Sequence, residues 1–329
     1  MRTVLKSAAL AALLTITVAH HARAQVQASS RFEMTPVASN TVTDRQMLRG
    51  DPNGPAVMLA GELRLPPGPP GRGKVPAVIL VHGSGGINAS HDGWARDLNS
   101  IGVAAFILDS FAGRGIVSTV DDQSQLGSMA MMVDAYRALA LLAKHPRIDA
   151  SRIGVMGFSK GAMGAVYSGA HRFKSAFGPA DASFAAHIGL YTPCDAAYRD
   201  LEKTTGAPIR LFHGIADDYV SIEPCRRFVA RMKAAGQDVT LTEFPDAYHG
   251  YDSFFRPEPI KLPQAQTIRA CTLAEGDDGV IINTKTAQPL SWSDPCIERG
   301  TTIGYNKAAH EGTVRGVKEF LVQAFKLKE

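Results

Sequence analysis

The stretch that decides the fold is Gly154-Val-Met-Gly-Phe-Ser-Lys-Gly-Ala-Met-Gly164, which places one serine, Ser159, between Gly157 and Gly161. The apolar run from Arg152 to Gly157 is typical of a buried strand, and the residues after the serine can continue as a helix. A strand, a tight Gly-x-Ser-x-Gly turn and a helix together can present a nucleophilic serine. An ordinary Gly-Ser loop is the alternative interpretation, and the partner residues described below make it the weaker one.

Buried strands and helices alternate along most of the chain. The continuous apolar runs at 75–81 and 103–108 are typical of strands that are covered on both faces. Further strands are predicted at 57–65, 153–158, 184–190, 209–213 and 239–244, and helices at 91–100, 126–139, 160–171, 224–235 and 306–325. The alternation predicts an α/β fold with a mostly parallel central sheet and helices on both faces. Functional groups in such folds collect at the carboxyl ends of the strands.

The N-terminal segment 1–24 is predicted to be a secretory signal peptide, so that the mature chain begins at Gln25. The segment has a short basic start, an apolar run too short to span a bilayer, and the small-x-small motif Ala22-Arg-Ala24. An amphipathic or buried N-terminal helix is the alternative. Residues 25–329 are predicted to form a single α/β domain, with an insertion at about 253–305 before the last helix.

Charge limits the partners that the sequence allows. The predicted signal peptide contains three basic and no acidic residues, so its removal lowers the formal charge from +4 to +1. No block rich in lysine or arginine remains, and nucleic acid and anionic membranes are therefore poor partners. No cysteine follows the apolar run of the signal peptide, so a lipid anchor is not expected. We expect an exported protein, periplasmic or secreted, and the oligomeric state stays open.

Four cysteines remain in the mature chain, and an even number in an exported protein suggests two disulfides. Of the three possible pairings we predict the one that joins Cys271 to Cys296 and Cys194 to Cys225. The first two cysteines both lie within the insertion, and the other two follow neighbouring predicted strands. No C-x-x-C pair lies near histidines, so a zinc site is not expected.

A nucleophilic serine requires a base and an acid that orients the base, and two motifs after Ser159 supply them. The motif from His213 to Val220, HGIADDYV, contains Asp217, which we expect to be the acid in preference to its neighbour Asp218. A capped turn is the alternative role for Asp217. The motif AYHGYD supplies His249 as the base. The chain order serine, aspartate, histidine is that of the α/β-hydrolase triad.

The motif Val81-His-Gly-Ser-Gly-Gly86 follows the first buried strand and is predicted to contribute to an oxyanion hole. Its glycines let backbone N–H groups approach the serine, so the expected donors are the N–H of Lys160 and that of Ser84 or Gly85. A phosphate-binding loop is the alternative, but the spacing fits neither G-x-G-x-x-G nor G-x-x-x-x-G-K-[ST]. His82 is expected to hydrogen-bond the turn.

The four motifs VHGSGG, GFSKG, HGIADDYV and AYHGYD resemble those of the dienelactone hydrolase branch of the α/β-hydrolases, over residues 55–252 and the last helix. The resemblance implies hydrolysis of carboxylic esters or lactones without a cofactor. It assigns Ser159 as nucleophile, Asp217 as orienting acid and His249 as base. The founding members of the family have cysteine at the nucleophile position, where this chain has serine, so a broader exported esterase is expected.

These features together predict a serine hydrolase that cleaves small-molecule esters or lactones through an acyl-enzyme intermediate. Arg114 lies near where the family places an arginine for a substrate carboxylate, and structural pairing with Asp109 or another acid is an equally good interpretation. A peptidase of the prolyl-oligopeptidase type is one alternative, but the roughly thirty mature residues before Val57 cannot form its propeller. A non-catalytic binding protein on the same fold is the other alternative, and the presence of all three triad candidates argues against it.

Overall fold

The computed structural model describes residues 32–68 and 73–327, so the predicted signal peptide, residues 1–24, lies outside the described residues. The strands are β1 (Phe32–Asn40), β2 (Ala56–Arg64), β3 (Val75–Val81), β4 (Ala104–Asp109), β5 (Ile148–Phe158), β6 (Ala186–Leu190), β7 (Ala196–Ala197), β8 (Ile209–Gly214), β9 (Val239–Phe244), β10 (Ile260–Thr267), β11 (Leu273–Glu275), β12 (Ile281–Asn283), β13 (Gln288–Pro289) and β14 (Glu298–Ile303). The α-helices are α1 (Asp44–Arg49), α2 (Ala89–Ser100), α3 (Ser128–Ala143), α4 (Lys160–Tyr167), α5 (His171–Phe177), α6 (Ile222–Ala234) and α7 (Lys307–Ala324).

Eight strands form the central sheet in the order β1-β2-β4-β3-β5-β6-β8-β9. The pairs β1–β2 and β2–β4 are antiparallel, and all other neighbours in this sheet are parallel. Strand β3 is buried along its whole length, which is the environment of a strand covered on both faces. The prediction of a mostly parallel sheet is therefore confirmed.

Two apolar cores cover the two faces of this sheet. Along β3, Ala77, Ile79 and Val81 belong to one core and Val78 and Leu80 to the other, because successive side chains of a strand point to opposite faces. Helices α3, α4, α5 and α6 contribute to the first core, and α2 and α7 contribute to the second. The prediction of helices on both faces is confirmed, and the methionines of α3 are packing residues.

Before β6, the structure departs from the predicted elements at the lead-in to β2 and at the helix predicted at 160–171. The lead-in before β2, where one strand was expected, forms β1 and also the helix α1, which Thr43 caps. The helix predicted at 160–171 is divided into α4 and α5. The division falls at Ser168, whose backbone oxygen accepts a hydrogen bond from the Tyr136 hydroxyl, and at Ala170, which forms a bridge with Thr204. Tertiary contacts therefore end a helix that local periodicity would continue.

The insertion contains strands that its sequence did not predict. Strands β10 and β14 form a two-stranded antiparallel sheet, and β13, β12, β11 and β7 form a four-stranded one. Strand β7 lies outside the insertion and pairs in parallel with β11, so the insertion is hydrogen-bonded to the body of the molecule. The disulfides Cys194–Cys225 and Cys271–Cys296 are both present, as predicted. None of the helices in the described ranges is long and apolar enough to cross a membrane.

Candidate active site

Ser159 occupies a strained turn at the carboxyl end of the central strand β5. Its backbone has φ 51° and ψ −119°, a conformation that residues other than glycine adopt only at an energetic cost. A Cβ on Gly157 would lie 2.3 Å from the backbone oxygen of Gly161, and a Cβ on Gly161 would lie 2.3 Å from the backbone oxygen of His82. Only glycine at both positions lets the strand, the turn and α4 pack this closely.

Three side chains form a continuous hydrogen-bonded chain at this turn. His249 Nε2 lies 2.8 Å from Ser159 Oγ, and His249 Nδ1 lies 2.8 Å from Asp217 Oδ2. Asp217 follows β8 and His249 follows β9, so the carboxyl ends of the sheet strands bring together residues that are far apart in the sequence. Asp217 and His249 are only 7% and 5% exposed. Bulk water therefore competes little for these hydrogen bonds.

Asp217 is held as an anion. Burial favours its neutral form, but the charge and hydrogen bond of His249, together with His213 Nε2 at 3.4 Å, outweigh burial and keep the pKa of Asp217 below its ordinary value. The second carboxylate oxygen accepts hydrogen bonds from the backbone N–H groups of Tyr219 and Val220, at 2.9 and 2.8 Å. Hydrogen bonds from His249 Nδ1–H and from these two backbone N–H groups therefore orient this carboxylate.

The neighbouring Asp218 has different partners. Its carboxylate accepts hydrogen bonds from the backbone N–H and the hydroxyl of Thr302, at 2.7 and 2.9 Å. Its backbone oxygen accepts a hydrogen bond from Arg269. Both partners belong to the insertion, so Asp218 attaches the insertion to the loop after β8, whereas Asp217 contacts the histidine.

The predicted oxyanion-hole donors lie around the same serine. Lys160 is the first residue of α4, where a backbone N–H has no acceptor within the helix. Ser84 and Gly85 line a cavity that also contains Ser159. No hydrogen bond within residues 32–68 and 73–327 uses the backbone N–H of these three residues. His82 hydrogen-bonds the turn. Its Nδ1 lies 2.8 Å from the backbone oxygen of Gly83, and its Nε2 accepts a hydrogen bond from the backbone N–H of Ser110.

Arg114, the predicted substrate anchor, does not line either of the cavities at Ser159. Its side chain is 5% exposed and forms a two-pronged ion pair with the fully buried Asp134, at 2.8 and 2.9 Å. A substrate anchor requires an accessible guanidinium, so this geometry agrees with the structural interpretation. The acid is Asp134, because the Asp109 carboxylate instead accepts hydrogen bonds from the backbone of the following turn.

Two cavities meet at Ser159, and residues of the insertion line both. The first, here called the apolar cavity, has a volume of about 120 Å³ and includes Met163, Ile281 and Leu290 in its walls. The second, here called the His249 cavity, has a volume of about 320 Å³ and includes His249. Ser84, Ser159 and Tyr219 line both of them.

A polar network around Gln123, which sequence analysis missed, connects the site to the insertion. The Gln123 side chain hydrogen-bonds Ser84 Oγ, the Tyr219 hydroxyl and Lys160 Nζ, at 3.0, 3.3 and 3.0 Å. Its backbone N–H donates to Gln266 Oε1 at 2.8 Å. Burial lowers the pKa of Lys160 to about 8. Gln123 belongs to no motif, so no sequence signal could have identified it, whereas Tyr219 lies inside HGIADDYV.

Two aromatic rings pack against the imidazole of His249. The rings of Tyr191 and Tyr219 both lie with centroids 4.7 Å from that of His249. The Tyr191 hydroxyl and the indole N–H of Trp94 donate to the buried carboxylate of Asp252, at 2.8 Å each. These contacts limit rotation of the histidine.

Within the described residues, no group of three histidine, cysteine, aspartate or glutamate side chains could hold a metal ion.

The sheet topology and the strained serine turn define an α/β-hydrolase. The model of the dienelactone hydrolase family matches residues 60–325. The chain therefore belongs to the dienelactone hydrolase family, and it is a carboxylic ester hydrolase.

Known proteins resemble this chain at low sequence identity. A Methylorubrum extorquens protein described as "Putative carboxymethylenebutenolidase" is 24% identical over 245 residues, which are 68% of this chain and 79% of that protein. The dienelactone hydrolase-like promiscuous phosphotriesterase P91 from metagenomic libraries is 15% identical, with a TM-score of 0.54 over 90% of this chain and 99% of that one. Esterase 2 of Thermogutta terrifontis, in a form phosphorylated by paraoxon, is 18% identical, with a TM-score of 0.55 over 82% and 91%. These structural likenesses establish the fold.

Proposed function

We propose that the protein hydrolyses carboxylic esters with Ser159 as nucleophile, His249 as general base and acid, and Asp217 as the carboxylate that orients the imidazole. The observation that carries the proposal is the chain of hydrogen bonds from Ser159 through His249 to Asp217, with 2.8 Å at each link. A weak hydroxyl nucleophile becomes reactive when a base accepts its proton and a third group orients that base.

Acylation follows from this arrangement. When Nδ1–H of His249 donates to Asp217, Nε2 is left to accept the proton of Ser159 Oγ. The oxygen attacks the ester carbonyl carbon, and the backbone N–H groups of Lys160 and of Ser84 or Gly85 stabilise the resulting oxyanion. The carbon–oxygen bond to the alcohol then breaks, the alcohol oxygen takes the proton from Nε2, and the acyl group stays on the serine.

Deacylation repeats these steps with water. His249 removes a proton from a water molecule, whose oxygen attacks the acyl carbon. The bond between that carbon and Ser159 Oγ breaks, the serine regains its proton from Nε2, and a carboxylic acid leaves. The side chains and water supply every proton and electron pair. Linear esters and lactones share this carbonyl chemistry, so both are proposed substrates.

Covalent labelling combined with substrate comparison tests the proposal. Paraoxon treatment of the protein should add one diethylphosphoryl group to the peptide that contains Ser159, as detected by mass spectrometry. An esterase should cleave short p-nitrophenyl esters and leave the corresponding p-nitroanilides intact. A peptidase would cleave both kinds of substrate, so the comparison separates the two classes of enzyme. A label on another residue, together with undiminished hydrolysis, would rule out the assignment of Ser159.

The proposal that the protein is exported rests on its N-terminal sequence and its disulfides, and is independent of the catalytic proposal. The predicted signal peptide lies outside the described residues, and the two disulfides agree with an oxidising compartment. We therefore propose a periplasmic or secreted enzyme. N-terminal sequencing of the protein recovered from a cell fraction would test this, with Gln25 as the expected first residue.

A further inference from the structure

The two cavities at Ser159 differ in their relation to the base. His249 lines the His249 cavity, and within the described residues it is not part of the wall of the apolar cavity. The walls also differ in character. The apolar cavity is bounded by Leu126, Met163, Ile281 and Leu290, among others. The wall of the His249 cavity is mixed, with the polar side chains of Asn88, Ser90, Ser118 and Arg256 beside the apolar ones of Phe158, Phe255, Leu262 and Ile303.

The position of His249 makes the two cavities chemically unequal. In acylation the proton on His249 Nε2 passes to the alcohol oxygen of the ester, so that oxygen must face the imidazole. The substituent on that oxygen then extends into the cavity that His249 borders. The acyl group remains bonded to Ser159 Oγ, which lies 2.8 Å from Nε2, and its substituent needs space on the opposite side. The apolar cavity offers that space.

We propose that the two cavities divide the ester, so that the apolar cavity holds the acyl group and the His249 cavity holds the alcohol. The enzyme then selects esters whose acyl group is apolar and whose alcohol is compatible with the mixed polar and apolar wall of the His249 cavity. This inference rests on the proposed function of Ser159 and names its substrate class.

The buried ammonium of Lys160 does not oppose an apolar acyl group. Lys160 lines the apolar cavity, but its Nζ donates to the backbone oxygen and to Oε1 of Gln123, at 3.1 and 3.0 Å. A charge with two protein acceptors does not require an anionic ligand. The surrounding aliphatic wall therefore determines what the cavity holds, because burial of apolar surface is favourable.

The insertion offers a matched pair of residues that separates the two cavities. Leu290, directly after β13, lines the apolar cavity, and Leu262, on β10, lines the His249 cavity. Both are half-buried leucines of the insertion, and a tryptophan at either position would fill one cavity only. Lys261 precedes Leu262 on β10 and is exposed. Its side chain points to the opposite face of the strand, so Lys261→Trp is a control for the added indole.

Two isomeric esters provide the test. Methyl phenylacetate carries its ring on the acyl side and benzyl acetate carries it on the alcohol side, with the same atoms and similar leaving groups. The measured quantity is the ratio of kcat/KM for methyl phenylacetate to that for benzyl acetate. Leu290→Trp should lower this ratio by about tenfold or more and Leu262→Trp should raise it by about tenfold or more, because filling one pocket penalises one isomer. Lys261→Trp should keep the ratio within about twofold.

Each outcome decides the proposal. Ile281→Phe, a smaller addition to the apolar cavity, should shift the ratio in the same direction as Leu290→Trp, and it replaces that variant if tryptophan prevents folding. A ratio that rises in Leu290→Trp, a ratio that falls in Leu262→Trp, or a change in the same direction in both variants overturns the division of the ester. The division is also overturned if the enzyme cleaves neither isomer but cleaves p-nitrophenyl acetate in a Ser159-dependent manner. In that case the proposed function of Ser159 stands. If Ser159→Ala retains full activity, the proposed function falls and the division falls with it.

Discussion

The carboxyl edge of the central sheet and the insertion contribute to the same site in different ways. Ser159, Asp217 and His249 follow β5, β8 and β9, and backbone hydrogen bonds of the sheet set their separation. The insertion contributes none of these three residues, yet its side chains line both cavities at Ser159. The sheet therefore positions the three residues of the proposed triad, whereas the insertion contributes part of the walls of the space around them.

The two adjacent aspartates show how closely the regions meet. Asp217 contacts His249, and Asp218 contacts Thr302 on β14. Strand β14 returns to the base as well, because Ile303 forms a bridge with His249 and the N–H of Gly304 donates to the His249 backbone oxygen. A displacement of the insertion would therefore reach the imidazole, so the two contributions can be separated only by substitutions on each side.

The largest effect is expected from Ser159→Ala, which removes the nucleophile from the sheet side and leaves both cavities in place. We expect kcat for p-nitrophenyl acetate to fall by about 10⁴-fold or more, because only oxyanion-hole and binding contributions remain. Thermal unfolding followed by circular dichroism should show an intact fold. Substantial activity in a folded Ser159→Ala protein would contradict the assignment.

The next effect separates the two aspartates. Asp217→Asn should lower kcat by about 10³- to 10⁴-fold, because the amide no longer holds the imidazole in the tautomer that accepts the serine proton. Asp218→Asn is the matched control, since it alters only contacts with the insertion. A greater loss of kcat in Asp218→Asn than in Asp217→Asn would mean that the other carboxylate is the orienting acid.

A smaller effect is expected when the insertion loses its own cross-link. Replacing Cys271 and Cys296 by serine opens a loop with a sequence separation of 25. Loop-entropy arguments give a loss of about 3.5 kcal/mol in the free energy of unfolding, which urea denaturation can measure. The ratio of rates for large and small acyl groups should change more than the rate for p-nitrophenyl acetate. The Cys194 and Cys225 double variant is the comparison, and an equal change of that ratio in both would show that the effect is not specific to the insertion.

The last effect is a pH dependence of stability and concerns Asp195, which directly precedes β7, the strand that pairs with β11. Burial raises the pKa of Asp195 from 3.8 to about 7, and its Oδ1 has no hydrogen-bond partner within the described residues. Between these pH values the unfolded chain has released this proton while the folded chain retains it. The free energy of unfolding should therefore fall as pH rises from about 4 to 7, on a scale of about 1.4 kcal/mol per pKa unit.

Asp195→Asn checks this expectation, because the amide does not titrate. The difference in unfolding free energy between the variant and the unaltered protein should shift in favour of the variant between pH 4 and pH 7, measured by urea denaturation at each pH. A pH-independent difference would show that Asp195 does not hold the proton.

Sequence alone determined much of the central sheet and the candidate triad. Apolar runs such as Val75–Val81 predict strands covered on both faces, because only such strands need no polar alternation. The strand, the glycine turn and the helix around Ser159 are formed by consecutive residues, so their pattern can be recognised in the sequence. The order of Ser159, Asp217 and His249 along the chain, each after a predicted strand, was sufficient to nominate all three.

Tertiary structure decided the rest, because those features depend on partners distant in the sequence. Strands β11, β12 and β13 contain only two or three residues each, which is too short for any period to show. The sequence could not identify Asp134 as the partner of Arg114, or Gln123 as a neighbour of Lys160. The lining of the two cavities likewise depends on how the insertion folds back over the sheet edge, and no local pattern encodes that long-range packing.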